Sequence, residues 1–497
     1  MRQLSLSKTI GIVSALFAAT ALASSAQIFK TVASFDGANG ATAYAGLVQA
    51  TDGNFWGTTY NGGTNNSDCA PSGCGTAFKI TPRGKLIKLY SFCSHTNCTD
   101  GSQPYAGLVQ AIHGNFYGTT QQGGNNACSG GCGTVFRVTR WGKLTTLHSF
   151  DGTDGYSPNA GLLQAIDGNF YGTTTQRGAT TSGTVFKITP SGKLTTLYYF
   201  CSKMNCTDGA DPWGGLVQGT DGNFYGTTAE GGTHICKTRG QEKIGCGTVF
   251  KITAQGKLTT LHNFCSQTNC ADGYDALAGL VQAADGNFYG TAAEGGANTS
   301  GTIFEITAGG KLTTLYSFCS QTNCTDGATP YAGLVQATDG NFYGTTRFGG
   351  ANNGGAVFKI TPSGKQTTLH SFCSQANCAD GEFPQAGPVQ ATDGKFYGTT
   401  SEGGANMSGT VFSLSVGLGP FVETRPTSGE VGNTVIILGT NLTGATSVTF
   451  DGTPAEFKVI SGSEVTTKVP NGATTGKVKV KTLGGTLASN VVFRVTK

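Results

Sequence analysis

Charged side chains are scarce: only 12% of the 497 residues are Asp, Glu, Lys or Arg, and the formal net charge is +4. A chain this close to neutral carries no basic footprint for nucleic acid. Proline is also infrequent, at 14 residues, and with so little charge the composition argues against a disordered chain. No 3.6-residue apolar period persists, which excludes long amphipathic helices and coiled coils. No apolar run after the N-terminus approaches the ~20 residues of a membrane-spanning helix. A Cys-x-x-Cys redox motif is missing as well. Glycine fills the space these leave, with 78 residues against an ordinary share of ~7%. Abundant Gly and Thr fit an all-β protein with many tight turns.

The N-terminus reads as an address. Arg2 and Lys8 precede an uncharged stretch from Ile10 to Ala23, and Ala21, Ala23, Ser24 and Ala26 supply small residues for cleavage. That is the pattern of a secretory signal peptide over 1–26, cut after Ala26, with an uncleaved signal anchor as the alternative. The mature chain is expected to be secreted or periplasmic, monomeric and without a transmembrane segment.

A repeat dominates the rest. Gly-Leu-Val-Gln-Ala, or a close variant, begins at Gly46, Gly107, Gly161, Gly215, Gly279, Gly333 and Gly387, at spacings of 61, 54, 54, 64, 54 and 54 residues. Each unit reads as four short strands: a (Leu-Val-Gln-Ala), b (Phe-Tyr-Gly-Thr-Thr), c (Val-Phe-Lys-Ile-Thr) and d (Leu-Thr-Thr-Leu-Tyr-Ser-Phe). Asp-Gly-Asn joins a to b, and an Asp-Gly pair between β-type runs is a strong hairpin signal. Seven such units predict a seven-bladed β-propeller over 27–417, with a β-solenoid as the alternative. Ile28 to Phe35 matches strand d, and the seventh unit stops after strand c. The N-terminal strand is therefore expected to complete the last blade and cover both open edges. Beyond Val416 the repeat vanishes, and alternating short strands over 418–497 suggest a small immunoglobulin-like β-sandwich.

The recurring Gly-Leu-Val-Gln-Ala-x-Asp-Gly-Asn-Phe-Tyr-Gly-Thr-Thr, Gly-Thr-Val-Phe-Lys-Ile-Thr and Leu-Tyr-Ser-Phe phrases resemble the GloVer tandem-repeat family of exported bacterial proteins, over about 28–416. Pro426-Thr-Ser-Gly, Gly439-Thr-Asn-Leu and Val448-Thr-Phe-Asp-Gly-Thr-Pro-Ala resemble an IPT/TIG domain. Neither resemblance implies a reaction. The Asp-Gly-Asn-Phe-Tyr phrase is also similar to propellers of the streptogramin-lyase type, but it brings no catalytic residue to this sequence.

The 16 cysteines fall in local pairs. Five d–a connections hold Cys93 with Cys98, Cys201 with Cys206, Cys265 with Cys270, Cys319 with Cys324 and Cys373 with Cys378. Three b–c loops hold Cys69 with Cys74, Cys128 with Cys132 and Cys236 with Cys246. In an exported chain eight local disulfides are the economical reading, each worth about 2 kcal/mol for a six-residue ring. Zinc is the rival, although no His pattern completes four ligands.

Alternating strands place the short a–b and c–d turns on one face and the b–c and d–a loops on the other. The second set carries every cysteine pair and both insertions, so that face is the expected binding surface. Two positions before each strand a stand Tyr44, Tyr105, Asn159, Trp213, Leu277, Tyr331 and Gln385, expected to ring an axial channel; aromatics with a polar handle stack on sugars or apolar partners, and packing between blades is the bland reading. After strand b come Asn61, Gln122, Gln176, Glu230, Glu294, Phe348 and Glu402, which suit a hydroxylated ligand or a hard cation such as calcium, or else solvate a hairpin end. Asp100, Asp154, Asp208, Asp272, Asp326 and Asp380 are expected to cap turns. His148, His262 and His370 occupy a strand-d slot that holds Tyr elsewhere, which suggests an outer structural position. No set of nucleophile, base and orienting group stands out, and no cofactor is implied. Three readings remain: a binding or adhesion module for glycan or extracellular protein, a polysaccharide-active lyase or hydrolase, and a structural surface or matrix component.

Overall fold

The computed structural model describes residues 27–496 apart from 65–68, 70, 126, 177–181 and 240–241. The expected leader over 1–26 therefore lies outside the described residues. No α-helix occurs among them. Each repeat is a four-stranded antiparallel sheet in the order a-b-c-d, as in Val335–Gln336, Phe342–Thr346, Ala356–Ile360 and Gln366–Ser371. There are seven such sheets among the described residues. The last takes its outer strand from the N-terminus, where Ile28–Ser34 pairs antiparallel with Thr410–Ser415. The insertion in the fourth repeat is a two-stranded hairpin, Ile235–Arg239 with Glu242–Gly245.

Strand a is shorter than its sequence suggests and pairs over only two residues in each sheet. Its opening glycine lies against the neighbouring repeat instead of strand b. A methyl group on Gly107 would meet the Gly46 carbonyl oxygen at 2.9 Å, and one on Gly46 the Gly387 carbonyl oxygen at 3.5 Å. The seven glycines follow one another in this way, the last against the first.

Three further contacts recur between successive sheets, and they account for most of the repeated phrase. The Gln of strand a accepts from the backbone N–H at the a–b turn of the preceding sheet, from Thr51 to Gln110 through Thr338 to Gln390. The seventh bond runs from Thr392 N to Gln49 Oε1 at 2.9 Å. The first Thr of strand b donates its hydroxyl to a carbonyl just before the next strand a; Thr58 reaches Ala106 at 2.8 Å, and Thr399 reaches Ala45 at 2.8 Å. The aromatic pair of strand b stacks across the same boundary, with Trp56 on Phe116, Tyr117 on Phe170 and, in the last sheet, Tyr397 on Phe55 at 4.1 Å. Strand b is buried along its whole length. Each stacked pair adds about 0.5–1.5 kcal/mol beyond the area it buries, and each buried hydrogen bond about 1 kcal/mol.

The C-terminal part is a sandwich of two four-stranded sheets. One holds Glu423–Arg425, Thr434–Leu438, Glu464–Lys468 and Phe457–Val459; the other holds Thr453–Ala455, Ser447–Phe450, Val478–Thr482 and Gly485–Ala488. Val435, Ile437, Val448, Phe450, Val465, Val480 and Phe493 fill the space between. This sandwich sits on the a–b turns of the repeat sheets. Arg425 donates to the Gln49 carbonyl at 2.8 Å and to Gln110 Oε1 at 3.0 Å; Ser463 donates to the Thr51 carbonyl, and Arg494 to the Thr220 carbonyl. The Thr392 and Thr440 hydroxyls meet at 2.8 Å. Turns of the first, fourth and seventh sheets are thus engaged, together with Gln110 of strand a in the second.

Candidate functional site

With the sandwich on the a–b turns, the opposite face is built by the d–a and b–c loops. Every cysteine pair expected there is disulfide-bonded. In the d–a loops Cys93 is joined to Cys98, Cys201 to Cys206, Cys265 to Cys270, Cys319 to Cys324 and Cys373 to Cys378. In the b–c loops Cys69 is joined to Cys74, Cys128 to Cys132 and Cys236 to Cys246, the last pair closing the base of the inserted hairpin. No free cysteine remains among the described residues, so the rival zinc reading loses its thiolates. Eight disulfides fit an oxidising compartment. In the loop closed by Cys93 and Cys98, both cysteines and Asn97 take the left-handed conformation, at φ 57°, 50° and 56°, and four further loops repeat this. Such backbone is unfavourable for residues other than Gly, so other contacts must hold it.

A buried carboxylate supplies them. Asp100 Oδ2 accepts from the Tyr90 hydroxyl at 2.7 Å and from Ser94 N at 2.9 Å, while Oδ1 accepts from His95 N. Asp208, Asp272, Asp326 and Asp380 are bonded alike and are fully buried. The capping role expected of these aspartates is what they perform. The strand-d His and Tyr side chains are the other half of the latch, with His262 Nε2 2.9 Å from Asp272 and His370 Nε2 3.1 Å from Asp380. Their outer position hides this, because Tyr and His interchange here as donors to a carboxylate. Burial pushes the Tyr90, Tyr198 and Tyr316 hydroxyls up to about 12, so they remain donors.

The aromatic residues expected to ring a channel come together from different repeats. Tyr44 lies 4.9 Å from Tyr105, and Tyr105 meets Trp213, two repeats further on, edge to face at 5.7 Å. The Tyr105 hydroxyl donates to Gln385 Oε1 at 3.4 Å, and burial holds its pKa well above the usual tyrosine value. These contacts join repeats that are not adjacent in the chain. Leu277 and Tyr331 are half-buried at the matching positions of the fifth and sixth repeats, and Asn159 is buried. A second layer comes from the position immediately after strand b, one before the Asn61–Glu402 set, which sequence reasoning passed over. The Tyr60 hydroxyl donates to Gln121 Oε1 at 2.9 Å, Gln121 Nε2 donates to Asn159 Oδ1 at 2.9 Å, and Asn159 Nδ2 reaches Thr175 Oγ1 at 3.4 Å. Arg347, at the same position, holds its guanidinium over Tyr331 at 5.1 Å and over Phe348 at 4.9 Å. The difference from repeat to repeat at this one position was the signal that could have found them.

The outer ring is spread around the face. Asn61, Gln122, Gln176, Glu230, Glu294, Phe348 and Glu402 each form a backbone bridge to the preceding d–a loop, as Asn61 does with Ala41 and Glu402 with Glu382. Asn61 Nδ2 also donates to Thr42 Oγ1. Burial, and the charges of Glu402 and Asp380, hold the Glu382 carboxyl above the usual carboxylate range. None of Glu230, Glu294 and Glu402 belongs to a cluster of three potential metal ligands among the described residues; the clusters present consist of disulfide sulfurs with at most Glu382, and these offer no thiolate.

The model of the Gloeobacter/Verrucomicrobia repeat matches residues 67–240 and 204–412. The chain belongs to that repeat family. The repeat family's segment is followed by a match to the IPT/TIG domain over 422–495, which is the sandwich seated on the a–b turns. No curated protein matches the chain. Among solved structures it is similar to a polysaccharide lyase, with 10% identity over 75% of this chain and 89% of the lyase at a TM-score of 0.46. It is also similar to a periplasmic gluconolactonase of Pseudomonas aeruginosa, with 15% identity over 64% of this chain and 95% of that enzyme at a TM-score of 0.33. A luciferin-regenerating enzyme shares 10% identity over 80% and 98% at a TM-score of 0.39. These are distant likenesses and say nothing of what this repeat protein binds or does. No helix among the described residues is long and apolar enough to cross a membrane.

Proposed function

We propose that the repeat sheets, over 27–417, are the blades of a closed seven-bladed β-propeller, that 418–497 is a separate sandwich seated on one of its faces, and that the protein is an exported binding module for glycan or an extracellular protein. The unbroken series of glycine, glutamine, threonine and aromatic contacts from the seventh sheet back to the first supports closure. The observation that carries the binding reading is the placement of the sandwich. It takes up the a–b turns through Arg425, Ser463 and Arg494, and the disulfide-braced loop face keeps its half-buried aromatic centre of Tyr44, Tyr105 and Trp213. Rigid aromatic side chains with polar handles at the centre of a braced surface suit stacking on sugar rings or on apolar partner side chains.

A glycan array followed by titration of the hits tests this. Trp213→Ala should weaken a bound ligand by about 1–3 kcal/mol, as truncated aromatic anchors do, with the melting temperature measured beside it. Asp339→Asn, in an a–b turn, should leave affinity unchanged. A Trp213→Ala protein that melts early and binds normally would return this side chain to packing and refute the proposed face.

A further inference from the structure

Six of the seven side chains that directly follow strand b, one position before the Asn61–Glu402 set, are uncharged: Tyr60, Gln121, Thr175, Ala229, Ala293 and Ser401. The seventh is Arg347. Its guanidinium lies over the rings of Tyr331 and Phe348, and Phe348 is itself met edge to face by Phe383 at 5.5 Å. The cation is close enough to the axis for its charge to favour ionisation of the Tyr44 and Tyr105 hydroxyls, against the larger effect of burial. Among the described residues no carboxylate forms an ion pair with Arg347, and its Nε is buried without a hydrogen-bond acceptor. The buried Nε is matched by that of Arg137 and marks no ligand by itself; Arg347 as a whole is half-buried, and its unpaired charge beside the aromatic rings is what an anion from outside the chain would answer.

A guanidinium held by its faces against aromatic rings presents its N–H edge, and that edge matches the two oxygens of a carboxylate. We propose that Arg347 is the anion-binding centre of the axial site and takes the carboxylate of a uronic acid in an otherwise neutral glycan, whose sugar rings lie against Tyr44, Tyr105 and Trp213. This rests on the glycan half of the function proposed above. Carboxylates nearby limit the choice: Glu402 acts on the Tyr44 hydroxyl, and it also raises the pKa of Glu382. Like charges repel a densely anionic polymer while leaving one well-placed carboxylate free to reach the arginine.

Calorimetric titration of the full mature chain with oligosaccharides of a glucuronic-acid-substituted xylan, the same oligosaccharides after carboxyl reduction, and a sulfated galactan oligomer tests the assignment. The carboxylated form should bind about ten- to a hundredfold more tightly than the reduced form, as for a hydrogen-bonded charge pair. Arg347→Gln should remove that difference, Arg347→Lys should keep part of it, and Arg140→Gln, in a c–d turn, should keep all of it. Retention of the full difference in a folded Arg347→Gln protein overturns the proposal. Tightest binding of the sulfated oligomer overturns the uronate assignment. Equal binding of the carboxylated and reduced forms, with both weakened by Trp213→Ala, overturns the role of Arg347 while the proposed glycan face stands. Failure of every oligosaccharide to bind overturns both.

Discussion

Deleting residues 27–36 removes the strand that completes the last sheet, and its cost follows from what that strand touches. Ile28–Ser34 pairs with Thr410–Ser415 from Ile28 opposite Ser415 to Ser34 opposite Thr410. Phe35 is fully buried and meets Phe78 edge to face at 5.1 Å, so it binds the first sheet as well as the last. Phe29 stacks on His370 at 3.6 Å and contacts Phe412 at 5.6 Å. Loss of a buried Phe costs about 3–5 kcal/mol, which applies to Phe35, while the half-buried Phe29 adds less, so the two anchors together are worth on the order of 4–7 kcal/mol. Unpaired backbone along Thr410–Ser415 adds to this and leaves an open edge that invites aggregation. The sum is comparable with the whole stability of an ordinary domain, about 5–15 kcal/mol. Urea denaturation followed by fluorescence should show the deleted protein unfolding at a much lower midpoint, and a synthetic peptide of residues 27–36 should raise the midpoint as its concentration rises. An unchanged midpoint, or no response to the peptide, would refute the reasoning.

Gly107→Ala should destabilise by about 1–3 kcal/mol, because its methyl group meets the Gly46 carbonyl oxygen at 2.9 Å, whereas Gly161→Ala, with 3.6 Å to the Gly107 oxygen, should be nearly neutral in the same denaturation assay. Asp380→Asn should cost about 1–3 kcal/mol at neutral pH, since two hydroxyl or imidazole donors and two backbone N–H groups serve that carboxylate. Burial opposes its ionisation, but the bonds from Ser374 and Gln375 prevail and hold its pKa below the usual carboxylate value. The stabilisation is therefore present above the unfolded pKa of ~3.9 and lost as pH falls through the folded value, so the gap between wild type and Asp380→Asn should close below about pH 4. His370 adds a loss of the same sign, because burial depresses its pKa and folding then disfavours its protonation as pH falls below ~6.5. Arg425→Ala removes both bonds to Gln49 and Gln110, and proteolysis should then cut between 416 and 422 faster than in the wild type, without loss of the repeat sheets' own stability.

Most of the frame was legible because its determinants are local and repeated. Asp-Gly-Asn marks five of the seven a–b turns, His113-Gly-Asn and Asp393-Gly-Lys mark the other two, and Gly53 takes φ 77° as the turn requires. Alternation in Val-Phe-Lys-Ile puts Phe358 and Ile360 into the core and leaves Lys359 at the surface of the strand. The cysteine pairs could be read from their joint presence or absence in each loop. What each invariant letter does could not be read. The Gln of Gly-Leu-Val-Gln-Ala looked like an ordinary strand residue, yet its side chain carries a backbone hydrogen bond of the neighbouring sheet, a contact made 52 to 62 residues away along the chain, and 343 for Gln49. The Tyr of Phe-Tyr looked like core, yet Tyr171 also donates its hydroxyl to Asp167 in the turn. Trp56 stands at that position in the first repeat, and its buried Nε1 has no partner.

The seat of the C-terminal sandwich was not legible for a different reason. It depends on Arg425, Ser463 and Arg494, single residues whose partners, apart from Gln110, are backbone carbonyls, and a carbonyl leaves no mark in the sequence. The same logic bears on the proposed function. A contact that every repeat makes with its neighbour appears seven times and holds the sheets together, so it cannot distinguish one direction of the face from another. A ligand that binds in one orientation needs residues that break the repeat. At the axis these are few: Tyr60 and Gln121 on one side, bonded to each other and to Asn159, Ala229 and Ala293 where the ring has almost no side chain, and Arg347 with an unanswered charge. In the proposed binding module the symmetric frame supplies rigidity, and the exceptions to its symmetry supply the chemistry. Arg347 is the exception whose chemistry is still incomplete within the chain.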